Sequence, residues 1–295
     1  MGGAEGLRHW MNRAEDAFRA DIVEIGRRMY ARGYVASNDG NISIRLDEAT
    51  ILTTPKSVSK GFMSPDMMVV VDLDGRKIHG TRDASSELLM HLEVYKNRPD
   101  ARAVVHAHPP IATGFAVAGI PLDRAVLAEV VTTLGSIPIA EYGTPSTPEL
   151  PAAVRKYIKA HDGLLLANHG ALTIGPDVYA AYYKMETIEH FAKISLVTRQ
   201  LGRENLLSRE EVDRLQALRG NYGIKSPAPI CAEGSETGSQ TDQASCQIVE
   251  APASRGARLI PTDPAELDGE IRLSYRELTA LIEDAVKALL GGQHG

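Results

Sequence analysis

One glutamate and three histidines are the residues of this chain whose types and spacing best suit metal chemistry. Glu87 directly follows two serines. His106 and His108 flank a single alanine, so on a strand both imidazoles would leave the same face, and His169 lies further along the chain. Imidazole and carboxylate ligands together suit a borderline divalent ion, typically zinc. Glu87 could complete a tetrahedral shell with the histidines, or it could stand off and handle protons.

Other histidines lack comparable neighbours in the sequence and are interpreted as structural or surface residues. These are His79, His91, His161 and His190.

The elements that must position the site can be followed from the hydrophobic pattern. Helices are predicted over 12–32, 86–97, 178–201 and 209–220, and strands over 42–46, 51–54, 68–73, 103–105, 163–167 and 171–174. Strands and helices are mixed without a strict βα alternation. This favours an α+β or layered α/β fold, with a central, mostly antiparallel sheet flanked by helices.

The composition of the chain divides it into three parts. Residues 1–225 are predicted to form the folded catalytic domain. Residues 226–263 are rich in Pro, Ser, Thr, Gly, Gln and Glu, which is typical of a flexible linker. Residues 264–295 contain a capping-box pattern followed by apolar residues at helical spacing, which predicts a C-terminal amphipathic helix. Cys231 and Cys246 lie in the polar segment, and they are predicted to form neither a disulfide framework nor a metal site.

Charge and hydropathy exclude several classes of function. The net charge is −6, and no run of Lys and Arg exceeds two residues, so neither nucleic acid nor an anionic membrane is expected as a partner. The N-terminus does not resemble a signal peptide, and no segment approaches transmembrane length. The cytoplasm is therefore the predicted location.

Five short motifs, taken in order, resemble the class II aldolase/adducin family. They are Ser37-Asn38-Asp39-Gly40-Asn41-Ile42-Ser43, Thr54-Pro55-Lys56-Ser57, Ser85-Ser86-Glu87, His106-Ala107-His108-Pro109 and Asn168-His169-Gly170. The resemblance covers about residues 12 to 224 and implies a class II aldolase-like fold. The aldolases of the family include those for L-fuculose 1-phosphate and L-rhamnulose 1-phosphate.

The resemblance implies a role for each residue of the candidate site. His106, His108 and His169 match the family's ligands for Zn²⁺, or for another divalent ion such as Mn²⁺. Glu87 matches the acid that completes the shell at rest and then acts as general acid and base. The ion would act as a Lewis acid on the substrate's carbonyl and hydroxyl oxygens.

The same resemblance implies a site for the phosphate of a sugar phosphate. Gly40, Asn41, Ser85 and Ser86 match the positions that bind phosphate in the aldolases, although Asn38-Asp39-Gly40 is also typical of a simple tight turn. Lys56 and Ser57 stand where the aldolases usually have Thr-Gly. Lys56 could add charge toward phosphate, or it could hold a substrate carboxylate instead.

Two further positions concern proton transfer and the oligomer. Tyr222 matches a tyrosine of the aldolases' mobile tail, which reaches the site of a neighbouring subunit; it could also be a simple tail residue. The segment Leu127-Ala128-Glu129 lacks the tyrosine that assists proton transfer in fuculose-phosphate aldolase, so Glu129 is a candidate second acid or an interface residue. The resemblance implies a homotetramer with sites at subunit interfaces.

The first functional hypothesis is a carbon–carbon lyase that cleaves fuculose or rhamnulose 1-phosphate to dihydroxyacetone phosphate and lactaldehyde. A metal-dependent decarboxylase of a carboxylated substrate on the same fold is the alternative. A ribulose-phosphate 4-epimerase ranks third, because those enzymes usually carry Asp where Glu87 stands. A non-catalytic, adducin-like interaction module is the remaining alternative, but the adducin head lacks the metal ligands.

The C-terminal linker and helix resemble the encapsulation peptides of enzymes packaged in bacterial microcompartments. The resemblance implies a shell protein as a partner and the microcompartment as an alternative address. The apolar face of the helix would bind the shell, or it would fold back on the protein's own oligomer.

Overall fold

A single mixed sheet organises the chain in a computed structural model, which describes residues 3–224, 226–231, 246–249 and 279, with side chains from residue 14 onward. The described fold lies within one compact unit, Met1–Pro252. Among these residues, no helix is long and apolar enough to cross a membrane. The predicted C-terminal helix lies outside the described residues, apart from Thr279.

Eight strands form the sheet. They are β1 (Asn41–Arg45), β2 (Thr50–Thr53), β3 (Val69–Asp72), β4 (Lys77–His79), β5 (Ala103–Ala107), β6 (Ile139–Ala140), β7 (Gly163–Leu166) and β8 (Gly170–Gly175). Their spatial order is β4-β3-β2-β1-β5-β8-β7-β6. All neighbouring pairs are antiparallel except β6 and β7, which are parallel. The predicted mostly antiparallel sheet is therefore confirmed.

Helices cover both faces of the sheet. They are α1 (Gly3–Ala31), α2 (Leu88–Asn97), α3 (Pro110–Ala118), α4 (Ala128–Thr133), α5 (Glu149–Arg155), α6 (Val178–Gln200) and α7 (Arg209–Ala217). Apolar residues of α1, α3 and α6 share one buried cluster with β1 and β5. Residues of α2 and α5 form a second cluster with β3, β7 and β8. The α+β architecture follows from these two apolar layers on a twisted sheet.

The elements that the hydrophobic pattern did not predict are short. Helix α3 begins at Pro110, and α5 directly follows Pro148, where proline is compatible with the first helical turn. Strand β4 is exposed along its whole length, and β6 has only two residues. None of these elements is long enough to display a clear period of apolar residues.

Alternation along β5 decides which way the first two ligand candidates point. Val105 lies in the cluster with α1 and α6, whereas Val104 lies in the cluster with α2. His106 therefore faces the α2 side of the sheet, because side chains two residues apart share a face. His108 follows one residue beyond the end of β5, near the same face.

The segment after residue 225 differs from the predicted linker in two stretches. Cys231 and Cys246 form a disulfide, so the prediction that they would not pair is wrong. The stretch around Ile248 forms backbone hydrogen bonds with Asp123 and Ala125, of 2.8 Å each. Ile230 and Val249 pack on a small apolar cluster of α4 and α7. Composition predicted a linker because few large apolar residues occur in this segment. Backbone hydrogen bonds with Asp123 and Ala125, however, need no run of apolar residues.

We expect removal of the disulfide to destabilise these stretches. The cysteines are 15 residues apart, and closing a loop of that length contributes about 3 kcal/mol in the chain-entropy account. The double variant Cys231→Ser/Cys246→Ser should therefore lose roughly 2–3 kcal/mol in urea unfolding and be cut faster by proteases between residues 226 and 249. Equal stability and equal proteolysis in the two proteins would show that the disulfide does not hold the segment.

Candidate metal centre and adjoining cavity

Three imidazoles converge at one edge of the central strands. His106 lies in β5, His108 follows it, and His169 lies in the tight connection between β7 and β8. The ring centroids are 4.7 to 5.0 Å apart, and the candidate ligand nitrogens all lie within 4.8 Å of one another. The pairing of β5 with β8 brings these residues together although they are far apart in the chain.

Backbone conformation lets His169 enter this group. Asn168, the residue before it, has φ of 55°, the left-handed region that asparagine tolerates better than most residues. At Gly170, a Cβ atom would lie 2.5 Å from the carbonyl oxygen of Ala107 and 2.6 Å from His108 Cδ2. Glycine is therefore required for the β7–β8 turn to approach the histidines so closely.

Glu87 lies at the N-terminal end of α2 and completes the cluster. Its Oε1 is 2.9 Å from His169 Nε2, and its Oε2 is 3.6 Å from His106 Nε2. Burial raises the pKa of this carboxyl, but His106, His169 and His108 outweigh that effect, so its pKa lies well below the usual range. Glu87 is therefore a carboxylate at neutral pH.

The histidine nitrogens are arranged as ligands of a cation would be. His106 Nδ1 lies 2.9 Å from the carbonyl oxygen of Ala171, which can only accept, so Nδ1 carries the proton and the Nε2 lone pair faces the cluster. His108 Nδ1 lies 3.4 Å from Asp39 Oδ2, and its Nε2 is 3.1 Å from His106 Nε2. A carbonyl or carboxylate behind an imidazole is the usual support of a metal-binding histidine.

Electrostatics favour the same interpretation. Burial lowers the pKa of His106 and of His108, so both rings are held neutral, the form that binds metals. His106 Nε2 and His108 Nε2 lie 3.1 Å apart, close enough for both to bind one cation. The donor set thus fits a divalent ion held by His106, His108 and His169, with Glu87 beside it.

A cavity of about 210 Å³ adjoins the cluster. Its lining includes six of the residues predicted to bind or transform substrate, together with His108: Gly40, Lys56, Ser57, Ser85, Ser86 and Glu87. It also includes Asn38, Asp39 and Lys60, to which the sequence had assigned no role. Asn38 and Asp39 belong to the predicted turn, but the burial of Lys60 has no signal in the local sequence.

Asn41 occupies a different place from its predicted one. Its side chain is 1% exposed and is not among the groups that line the cavity. Instead its amide nitrogen donates to Glu87 Oε2 at 2.8 Å. Asn41 therefore orients the Glu87 carboxylate in this structure, a contact that only the pairing of β1 with β5 makes possible.

Two other predicted residues lie away from the cluster. The Tyr222 side chain is 68% exposed at the end of a 3₁₀ helix, Arg219–Tyr222, and does not line the cavity. Glu129, in the first turn of α4, lines a separate cavity of about 840 Å³ with Arg32 and Glu186. In the described part of the chain, neither residue lies on the cavity that Glu87 lines.

A buried polar chain lies behind Glu87. His91, one turn along α2, is fully buried, and its Nδ1 is 2.7 Å from Ser43 Oγ, which is 2.8 Å from the hydroxyl of Tyr95. Burial lowers the pKa of His91 to about 3, with Glu87 opposing the shift. His91 is therefore a neutral structural residue that packs α2 against β1.

Comparisons with known proteins agree with this geometry. Residues 20–196 match the family described as Class II Aldolase and Adducin N-terminal domain. The chain is 31% identical over 188 residues to a Pectobacterium atrosepticum protein named 3-oxo-tetronate 4-phosphate decarboxylase, covering 62% of this chain and 86% of the relative. It is 32% identical over 206 residues to the 5-deoxy-D-ribulose 1-phosphate aldolase of Bacillus thuringiensis serovar kurstaki, covering 70% and 96%. Among solved structures, L-fuculose 1-phosphate aldolase is similar at a TM-score of 0.64 and 28% identity, covering 68% and 95%.

The buried neutral state of His91 predicts a pH-dependent stability. In the unfolded chain its pKa is near 6.5, whereas in the folded chain it is about 3. Between pH 6.5 and about 3, His91 is protonated in the unfolded chain but neutral in the folded chain. The stability that its neutral burial contributes is therefore complete above pH 6.5 and is lost as the pH falls.

We expect the free energy of unfolding of the metal-free wild type to fall by roughly 1.4 kcal/mol more than that of His91→Asn between pH 7.5 and 5.5. Asparagine keeps a partner for Ser43 but does not titrate. Urea unfolding at both pH values, with a chelator present, measures the difference. Parallel losses in the two proteins would contradict the assignment.

Proposed function

The chain belongs to the class II aldolase and adducin family, and from that premise we propose that it cleaves a deoxyketose 1-phosphate, such as fuculose or rhamnulose 1-phosphate, to dihydroxyacetone phosphate and lactaldehyde. It is a carbon–carbon lyase of the aldolase type. The choice of substrate rests on the character of the cavity beside the histidines.

The observation that supports the proposal is the composition of one small cavity. Glu87 and His108 line it, and so do two lysines and three serines. Binding a sugar phosphate for cleavage requires a polarising group at its carbonyl. It also requires cations and hydroxyls around its phosphate. At about 210 Å³, the cavity suits a small phosphorylated molecule rather than a polymer.

Proton transfer is assigned to Glu87. When bound by the three histidines, a divalent ion supplies Lewis-acid polarisation of the substrate carbonyl. Cleavage breaks the bond between C3 and C4, removes the proton of the C4 hydroxyl and returns a proton to C3. We assign the transfer at C3 to Glu87, because its carboxylate borders both the cluster and the cavity.

Neighbouring side chains hold this arrangement. Asn41 donates to Glu87 and fixes the direction in which its carboxylate points. Asp39 lies behind His108 and orients its ring. Ser57, Ser85 and Ser86, with Lys56, are proposed to hold the phosphate, since all four line the cavity.

Ion, oligomer and partners complete the proposal. Zinc is proposed because a set of imidazoles with one carboxylate suits it best. A homotetramer is proposed because exposed Tyr222 can act on the C4 hydroxyl only if it reaches a neighbouring copy's cavity. A microcompartment shell protein remains our proposed partner for residues 264–295.

A decarboxylase is the second candidate function. The segment Leu127-Ala128-Glu129 lacks the proton-transferring tyrosine of fuculose-phosphate aldolase, and the cavity has two lysines that could hold a carboxylate and a phosphate together. The relative named 3-oxo-tetronate 4-phosphate decarboxylase supports this candidate. Release of carbon dioxide from a phosphorylated 3-oxo acid, without formation of dihydroxyacetone phosphate from either sugar, would favour it.

Replacing Glu87 tests the proposed chemistry. The wild type should release dihydroxyacetone phosphate from fuculose or rhamnulose 1-phosphate, and Glu87→Gln should reduce kcat by about 10²- to 10⁴-fold, because the amide cannot carry the proton. A coupled assay with glycerol-phosphate dehydrogenase measures the product. The control is Glu141→Gln, at an exposed glutamate paired with Lys156, which should leave kcat unchanged. Full turnover by Glu87→Gln would refute the assigned role.

Removing the metal tests the ligand assignment. Treatment with EDTA should abolish cleavage, and one equivalent of Zn²⁺ per chain should restore it, since the proposed cleavage depends on Lewis-acid polarisation of the carbonyl. His169→Ala should bind zinc at least about tenfold more weakly, measured by competition with a chromophoric chelator. Undiminished cleavage by a protein shown to be metal-free by elemental analysis would exclude the mechanism.

A further inference from the structure

Lys60 is a buried lysine on the wall of the cavity. It begins a 3₁₀ helix, Lys60–Phe62, and is only 2% exposed. Its Nζ donates to the carbonyl oxygens of Asn38, at 3.0 Å, and Val58, at 2.6 Å. Lysine is rarely buried to this degree without a charged partner, so its position calls for an explanation.

The two carbonyls belong to turns with unusual backbone conformations. Ser37 and Ser57 have φ of 50° and 59°, in the left-handed region that is unfavourable for serine. Each directly precedes one of the residues whose carbonyl accepts from Lys60. Both turns contribute to the cavity wall, through Asn38 and Ser57. The ammonium therefore links the two strained turns by hydrogen bonds.

Helix α1 fixes where the lysine backbone lies. At Gly26 of α1, a Cβ atom would lie 2.5 Å from the carbonyl oxygen of Lys60 and 2.5 Å from Met63 Cε. The helix and the 3₁₀ turn can approach this closely only because residue 26 is glycine. This close contact fixes the position of the Lys60 backbone beside α1.

In the described part of the protein, no carboxylate forms a direct ion pair with Lys60. Asp39 and Glu87 attract its charge only from a greater distance. Burial lowers the pKa of Lys60 to about 8, so at neutral pH most molecules still carry the buried cation. Its hydrogen-bond acceptors are neutral carbonyls, so an anion that enters the cavity would stabilise the buried cation further.

We propose that Lys60 is a positioning and specificity residue, which ties the two strained turns together and supplies the buried positive charge that selects a doubly charged anion in the cavity. For the identity of that anion, the phosphate of the substrate, the inference rests on the proposed function. Exposed Lys56 on the rim attracts anions generally, whereas Lys60 acts only on a group that enters the cavity.

Binding of inorganic phosphate to the full-length, zinc-loaded chain tests this without any turnover. Lys60→Met removes the charge, and Lys60→Gln removes it while keeping a donor for a turn carbonyl. Both should bind phosphate about 10- to 100-fold more weakly than the wild type at pH 7, the usual worth of a charged hydrogen bond. Phosphorus NMR titration measures the affinity. The matched control is Lys77→Met, at an exposed lysine of β4 paired with Asp83, which should bind like the wild type.

Two further measurements distinguish a specificity role from a merely structural one: the separate effects on KM and kcat, and the pH dependence of phosphate affinity. KM for the phosphorylated sugar should rise by the same factor as the phosphate dissociation constant, while kcat changes far less. Phosphate affinity should fall more steeply between pH 7 and 9 in the wild type than in Lys60→Gln. The other charged or titratable groups around Lys60 are Asp39, Lys56, Glu87, His108 and Tyr30, and all are common to both proteins.

Equal phosphate affinity in the wild type and Lys60→Gln, or no phosphate binding by the wild type, would overturn the inference. If circular dichroism shows that Lys60→Met does not fold, the phosphate affinity of Lys60→Gln and the pH series test the inference without it. Phosphate binding that depends on Lys60, in a protein that cleaves neither sugar, would support this inference while refuting the proposed substrate.

Discussion

The convergence of three imidazoles and one carboxylate within about 5 Å is the constraint on which the rest of this structure depends. The sheet brings the groups together by pairing β5 with β8, and α2 adds Glu87 from the same face. Nothing in the packing of apolar residues requires such an arrangement. A divalent cation could bind the nitrogen and oxygen atoms that these groups bring together.

The polar support of the cluster is drawn from elements that do not themselves carry ligands. Asn41 on β1 holds Glu87, and the Ala171 carbonyl on β8 fixes the tautomer of His106. Behind them, His91 bonds to Ser43 and packs the start of α2 against the sheet. Each contact keeps a buried polar group satisfied, and together they restrict the orientation of the reacting groups.

The cavity beside the cluster combines strained turns with a buried positive charge. Its turns are strained at Ser37 and Ser57, and a buried lysine joins them. Backbone strain and a buried cation both lower the stability of the fold. An anion in the cavity would offset the cost of the buried cation. Elsewhere, the stretch around Ile248 pairs with the segment around Ala125, and the disulfide joins that stretch to Cys231.

Local sequence determined much of this protein. The alternation of His106 and His108, the start of α2 at Glu87 and the mostly antiparallel sheet all follow from periodicity and turn residues, which act over a few neighbours. Tertiary structure alone decided that Asn41 contacts Glu87 rather than the cavity, that Lys60 is buried, that Tyr222 is exposed and that the two cysteines pair. Burial and pairing depend on which distant elements meet, and no local period records that. The sequence therefore specified which groups react. The packing of α1, β1 and α2 specified their hydrogen-bond partners and their charge states.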